Sequence, residues 1–97
     1  MARLPAVAVQ GTLRSAEPAA LALRMGKHFG HKVPVETEGG VTRVTIAAGR
    51  FELEPADGEL RIRLDPAGDE SLPRLREVVA SHLARFARGA DATIEWS

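Results

Sequence analysis

Thr42-Arg43-Val44-Thr45-Ile46-Ala47-Ala48-Gly49-Arg50-Phe51-Glu52-Leu53-Glu54-Pro55-Ala56-Asp57-Gly58-Glu59-Leu60-Arg61-Ile62-Arg63-Leu64 alternates apolar with polar residues and is interrupted only at turn signals. Alternation of period two puts one set of side chains on each side of a strand. From Lys32 to Asp65 the signals Gly39-Gly40, Ala48-Gly49 and Asp57-Gly58 cut the chain into four such stretches, which is the pattern of an antiparallel meander. A turn at Asp57-Gly58 sets Glu54 opposite Arg61 and Glu52 opposite Arg63. A turn at Ala48-Gly49 sets Arg43 opposite Glu54 and Thr45 opposite Glu52. One side is then a row of alternating charge, read as solvated surface. The other side gathers Thr42, Val44, Ile46, Phe51, Leu53, Leu60, Ile62 and Leu64, an apolar sheet face that has to be covered.

Two amphipathic segments flank the meander and supply the cover. Ala6 to Leu13 alternates and reads as a first strand. Ser15 follows as a helix N-cap, with Pro18 in the first turn, where a missing N–H costs little. That helix runs to about Phe29. Gly30 reads as its left-handed stop, with Pro34 barring continuation. Asp69 or Ser71 is read as the cap of a second helix, Pro73 again stands in the first turn, and Leu72, Leu75, Val79, His82, Leu83 and Phe86 recur at helical spacing. Gly89 is read as its end, and Thr93 to Trp96 has the character of a last strand. The fold class is α+β: a two-layer sandwich of a mainly antiparallel sheet with both helices on one face, in the order βαββββαβ.

Composition limits the function. The 97 residues make one domain, residues 1–97. Thirteen basic residues balance thirteen acidic ones, and the aromatics are Phe29, Phe51, Phe86 and Trp96. There is neither a basic field nor a stacking platform of the kind nucleic-acid binders use. No apolar run is long enough for a membrane span or a signal sequence, and the chain is read as soluble and cytoplasmic. With no cysteine, a metal site here has only histidine and carboxylate to draw on.

The residues that can carry chemistry are therefore the three histidines, His28, His31 and His82. With Met25 at the centre of the first helix's buried face, His28 lies about 60° to its flank. His82 takes a similar place between Val79 and Leu83 in the second helix. Both helices cover the same sheet face, so the two rings can meet in the seam between them. His31 stands just beyond the first helix. Three histidines with an open position suit a transition metal or a metal-loaded ligand. A histidine near a helix C-terminus or on an apolar stripe also has a purely structural use. Glu36, Glu38 and Glu77 are candidate partners for acid–base work, with nothing in their spacing to select one. Ser81 precedes His82, but adjacent helix positions point about 100° apart, so the two do not form a Ser-His pair. Gly11, Gly26 and Gly30 lack phosphate-loop spacing, and Asp65 to Glu70 lacks the calcium-loop pattern.

His28-Phe29-Gly30-His31-Lys32 followed by Val33 and Val35, then Val78-Val79-Ala80-Ser81-His82-Leu83-Ala84-Arg85-Phe86-Ala87, then Ile94-Glu95-Trp96, resemble the small bacterial proteins catalogued as domain of unknown function 2218. The likeness covers almost the whole chain. In place of the family's Phe-Ala-Phe-Arg-Glu, this chain has Phe86-Ala87-Arg88-Gly89-Ala90 and so lacks the Arg-Glu pair. The resemblance carries His28, His31 and His82 over as ligand-binding and metal-ligating residues. Family members also stand beside, or fused to, siderophore-interacting flavin reductases. That implies a non-catalytic accessory that binds a metal or a ferric-siderophore-type ligand in iron metabolism, with such a reductase as partner. Some members carry a heptenedioate aldolase label, but this chain is far shorter than the roughly 250 residues of a barrel enzyme. Two other readings remain: a structural or interaction domain acting as a homodimer without ligand, and a small lyase or isomerase with His28 or His82 as general acid–base.

Overall fold

The computed structural model describes residues 9–87 and 92–96. Six strands and two helices follow in the order read from the sequence: β1 (Val9–Arg14), α1 (Pro18–Gly30), β2 (Val35–Glu38), β3 (Val41–Ile46), β4 (Gly49–Ala56), β5 (Glu59–Pro66), α2 (Leu72–Phe86) and β6 (Ile94–Trp96). A 3-10 turn over Asp69–Ser71 leads into α2. The strands form one sheet in the order β2-β3-β4-β5-β1-β6, with every pairing antiparallel. The meander builds four adjacent strands through local turns. The first strand then adds beside β5 and the last strand beside β1, with a helix on the path between each of them and the meander.

The alternating pattern sorts the side chains as expected. Val44, Phe51, Leu53, Leu60, Ile62 and Leu64 are buried beneath the helices, with Thr42 the buried polar residue among them. Leu21, Ala22 and Met25 of α1 and Leu75, Val79 and Leu83 of α2 close the core from above. Contacts of His28 with His82 and of Arg24 with Phe86 show that the helices run antiparallel along their seam. At the far side of the sheet Gly11 lies against Trp96: a Cβ at Gly11 would stand 2.6 Å from the indole Cε3. The missing side chain is what lets the ring settle on β1, and the Arg76 guanidinium covers it at 5.3 Å.

The turns correct part of the reading. Asp57-Gly58 is a tip as expected, with Glu54 opposite Arg61 and Glu52 opposite Arg63. Gly39 and Gly40, with φ of 60° and 84°, form the hairpin turn that needs two left-handed residues. The third tip is Ala47-Ala48 and not Ala48-Gly49, so Arg43 pairs with Glu52 and Thr45 with Arg50. Gly49 belongs to the strand. At φ 142° its backbone packs so closely on β5 that a Cβ would lie 2.8 Å from Pro66 Cα and nearer still to the Asp65 carbonyl oxygen. Moving the tip by one residue moves each partner by two, which leaves every side chain on its own face.

The helix ends are corrected too. The Ser15 hydroxyl accepts from the Glu17 N–H at 2.9 Å, ahead of the helix, and Glu17 holds the N-cap position without a side-chain bond. Gly30 is the last helical residue and not a left-handed stop. The C-cap is His31 in right-handed geometry, and Lys32 N–H and Val33 N–H both donate to Phe29 O before Pro34. Ser71 holds the N-cap position of α2 as expected but makes no side-chain bond there, and Asp69 opens the 3-10 turn that supplies the entry. The last strand begins at Ile94. Ala6 as a strand start and Gly89 as a helix stop lie outside the described residues.

Candidate functional site

The α1–α2 seam brings two of the three histidines together. His28 stands in the last turn of α1, and His82 stands on α2 between Val79 and Leu83. Their ring centroids are 5.0 Å apart, with the planes tilted by 50°. Phe29 packs under the pair, 4.8 Å from His82, 5.1 Å from His28 and edge-on to Phe51 of the core at 5.4 Å. Phe86 closes the other side, 5.5 Å from His28. The result is a box of four rings, anchored through Phe51 to the sheet.

The tautomer of His82 follows from its partner. Nδ1 is 2.7 Å from the Val78 carbonyl oxygen, which can only accept, so Nδ1 carries the proton and Nε2 is the basic nitrogen of the neutral ring. Ser81 Oγ donates to the same carbonyl at 3.3 Å, which gives this hydroxyl a helix-surface role. His28 has a pKa below its ordinary value of 6.5. Loss of water around its ring pushes it down, and the neighbouring His82, Arg85, Lys32 and His31 push the same way. Since the residue as a whole is exposed, solvent screens these charges and keeps the effect modest. The groups named as acting on His28 are all basic residues.

His31, the third candidate, is exposed and reaches His28 only through its charge. The metal set of His28, His31 and His82 is therefore not assembled: among the described residues no group of three or more His, Cys, Asp or Glu side chains could hold a metal ion. The reason is the chain path, because α1 continues through Gly30 and places His31 at its C-cap, outside the box of rings. Glu36 does not serve a histidine either, since it turns to Arg43 of β3 at 3.5 Å. Arg85 and Lys32 were missed in the sequence, although basic residues in or just after the last turn of each helix were the available signal.

Three concavities of about 460, 440 and 410 Å³ open elsewhere and have no histidine in their walls. At the seam His28 is exposed, while His82, Phe29 and Phe86 are half-buried. No helix of the described residues is long and apolar enough to cross a membrane.

Residues 10–97 match the family described as an uncharacterized protein conserved in bacteria, DUF2218. The chain belongs to that family. A DUF2218 member is thus what the quoted histidine and Ile-Glu-Trp segments mark. The chain is also similar to a solved structure, the NMR structure of PA4090 from Pseudomonas aeruginosa, at 26% identity and a TM-score of 0.78, over 95% of this chain and 96% of that one. No curated protein matches the chain.

Proposed function

We propose that this DUF2218 domain is a non-catalytic binding module that takes an anionic, ring-bearing ligand at the α1–α2 seam, a ferric siderophore of catecholate type being the ligand class that suits it. The observation that carries this reading is the company around His28: the rings of Phe29, His82 and Phe86 surround it, and the basic residues Arg85 and Lys32 act on it. A cationic patch attracts an anion, and Arg85 and Lys32 are the basic side chains near His28. Faces of imidazole and phenyl rings stack on a planar ligand ring. The metal would arrive inside its own chelate, since the histidines do not form a coordination set. A siderophore-interacting flavin reductase is the partner proposed for such a module. A lyase or isomerase with His28 or His82 as general acid–base is the second reading, and turnover of a substrate that His82→Ala abolishes would favour it.

The test is a thermal-shift and calorimetric titration of the unmutated protein with a ferric catecholate chelate, a neutral ferric hydroxamate chelate, and free ferric and zinc salts. The catecholate alone is expected to raise the melting temperature. At about a hundredfold excess over its Kd the stabilisation is roughly 2.7 kcal/mol. His82→Ala and Arg85→Ala should each remove most of that rise. A catecholate that gives no shift, or one that shifts both variants like the parent, overturns the reading.

A further inference from the structure

Arg24 and His28, one turn apart on α1, meet Phe86 and His82, one turn apart on α2. Residues at that spacing share a helix face, so the two contacts are successive rungs of one antiparallel seam. In one rung the imidazoles face each other. In the other, Arg24 Nη1 donates to the Phe86 carbonyl oxygen at 3.2 Å, across 62 residues of sequence. Among the described residues no other hydrogen bond joins the two helices. The apolar contacts beneath the seam are non-directional, whereas a hydrogen bond fixes both distance and angle. Its place matters as well. Phe86 is the last residue of α2, where carbonyls lack the N–H of a following turn. A guanidinium there satisfies an orphan carbonyl and faces the negative end of the helix. Arg24 is half-buried, and the bond is partly shielded with it.

We propose that Arg24 is a positioning residue of the seam: by holding the Phe86 carbonyl it keeps the last turn of α2 in register with α1, so that the Phe86 ring stays against His28. The held carbonyl and the ring belong to one residue. The ring meets His28 edge-on at 5.5 Å, and releasing the carbonyl lets the end of α2 turn and carry the ring away. Arg24 therefore acts on the box of rings through Phe86. Its effect on ligand affinity rests on the binding reading above, whereas its effect on the rings stands without a ligand. Lysine at this position keeps a charged donor but loses the planar fork of arginine.

The test compares the parent chain with Arg24→Met, which keeps an apolar stem and removes the donor, Arg24→Gln, whose amide stops short of the carbonyl, and Arg24→Lys. Nuclear Overhauser contacts between the Phe86 ring and the His28 imidazole are read without ligand, and affinity for the ferric catecholate is read by calorimetry. Arg24→Met and Arg24→Gln should keep the far-UV spectrum, weaken the Phe86–His28 contact and lower affinity by at least about tenfold. Arg24→Lys should recover much of both. Arg43→Ala, which loosens the open face of the sheet, is the control for general loss of stability and should move neither signal. An unchanged Phe86–His28 contact in Arg24→Met or Arg24→Gln overturns the proposal, as does a contact weakened equally by Arg43→Ala or left unrecovered by lysine. A parent chain that binds no catecholate overturns the binding reading alone, because the ring contact is measured in its absence.

Discussion

The two faces of the sheet come from the same strands and are held by different forces. On the helix side Phe51, Leu53, Leu60 and Leu64 are wholly buried, and each such side chain contributes about 1.5–3 kcal/mol by leaving water. On the open side Arg43 bridges Glu52 at 2.9 Å and Glu36 at 3.5 Å, tying three strands together. Arg61 and Arg63 instead choose Glu59 and Asp65, two residues away on their own strand. Register put Glu54 opposite Arg61, yet an exposed arginine is free to select among carboxylates of similar reach. Such exposed pairs contribute little, since solvent screens them. The contrast shows that register is enforced by the buried side, and that the charges follow it without dictating it.

The largest break of that contrast is expected from Phe51→Ala. It should lower the unfolding free energy by about 3–5 kcal/mol in urea titrations. It also removes the ring on which Phe29 rests, so the seam should loosen with it, seen as a change in the His82 imidazole proton resonances. A loss no greater than those on the charged face would undo the comparison. Next comes Gly49→Ala, which sets a methyl group against the β5 backbone in a strained conformation worth about 1–3 kcal/mol before the clash is added. Gly58→Ala, at φ 73° with open space around it, is the control and should cost roughly 1–2 kcal/mol. Equal losses at the two glycines would mean that β4 can slip to the tip read from the sequence.

On the open face Arg43→Ala, which breaks bridges to two neighbouring strands, should lower stability more than Arg61→Ala, which breaks a pair within one strand, measured by the same titration. Added salt should narrow that difference. The smallest effect concerns His28. Its folded pKa lies below 6.5, so between the two values the unfolded chain binds more protons than the folded one. Stability should therefore fall as pH is lowered through 6.5 toward the folded value and level off below it. His28→Gln should flatten that part of the melting-temperature profile, and a profile that keeps its slope in the variant assigns it to another group.

Much of this was legible in advance because alternation and helical spacing are local. Phe51 faces inward whichever turn precedes it, since a shift of the tip preserves parity. The Ala47-Ala48 tip was hidden because glycine usually marks a turn, whereas Gly49 answers to the approach of β5, a strand distant in sequence. Gly30 misled in the same way: it reads as a stop, but carbonyl-sharing at Phe29 ends the helix while Gly30 stays right-handed. The meeting of His28 with His82 could be anticipated from two flank positions over one sheet face. The cationic ring box could not, because Arg85, Lys32 and Phe29 come together only through the angle at which the helices cross.

The sequence by itself determined which side of each strand and helix is buried, the order of the elements and the absence of cysteine chemistry, because periodicity and composition do not depend on how the pieces dock. The tertiary structure alone decided that β1 lies between β5 and β6, that His31 stands outside the box of rings, and that Arg24 reaches the last turn of α2. Each of those depends on where segments remote along the chain come to rest, and close packing of the core sets that.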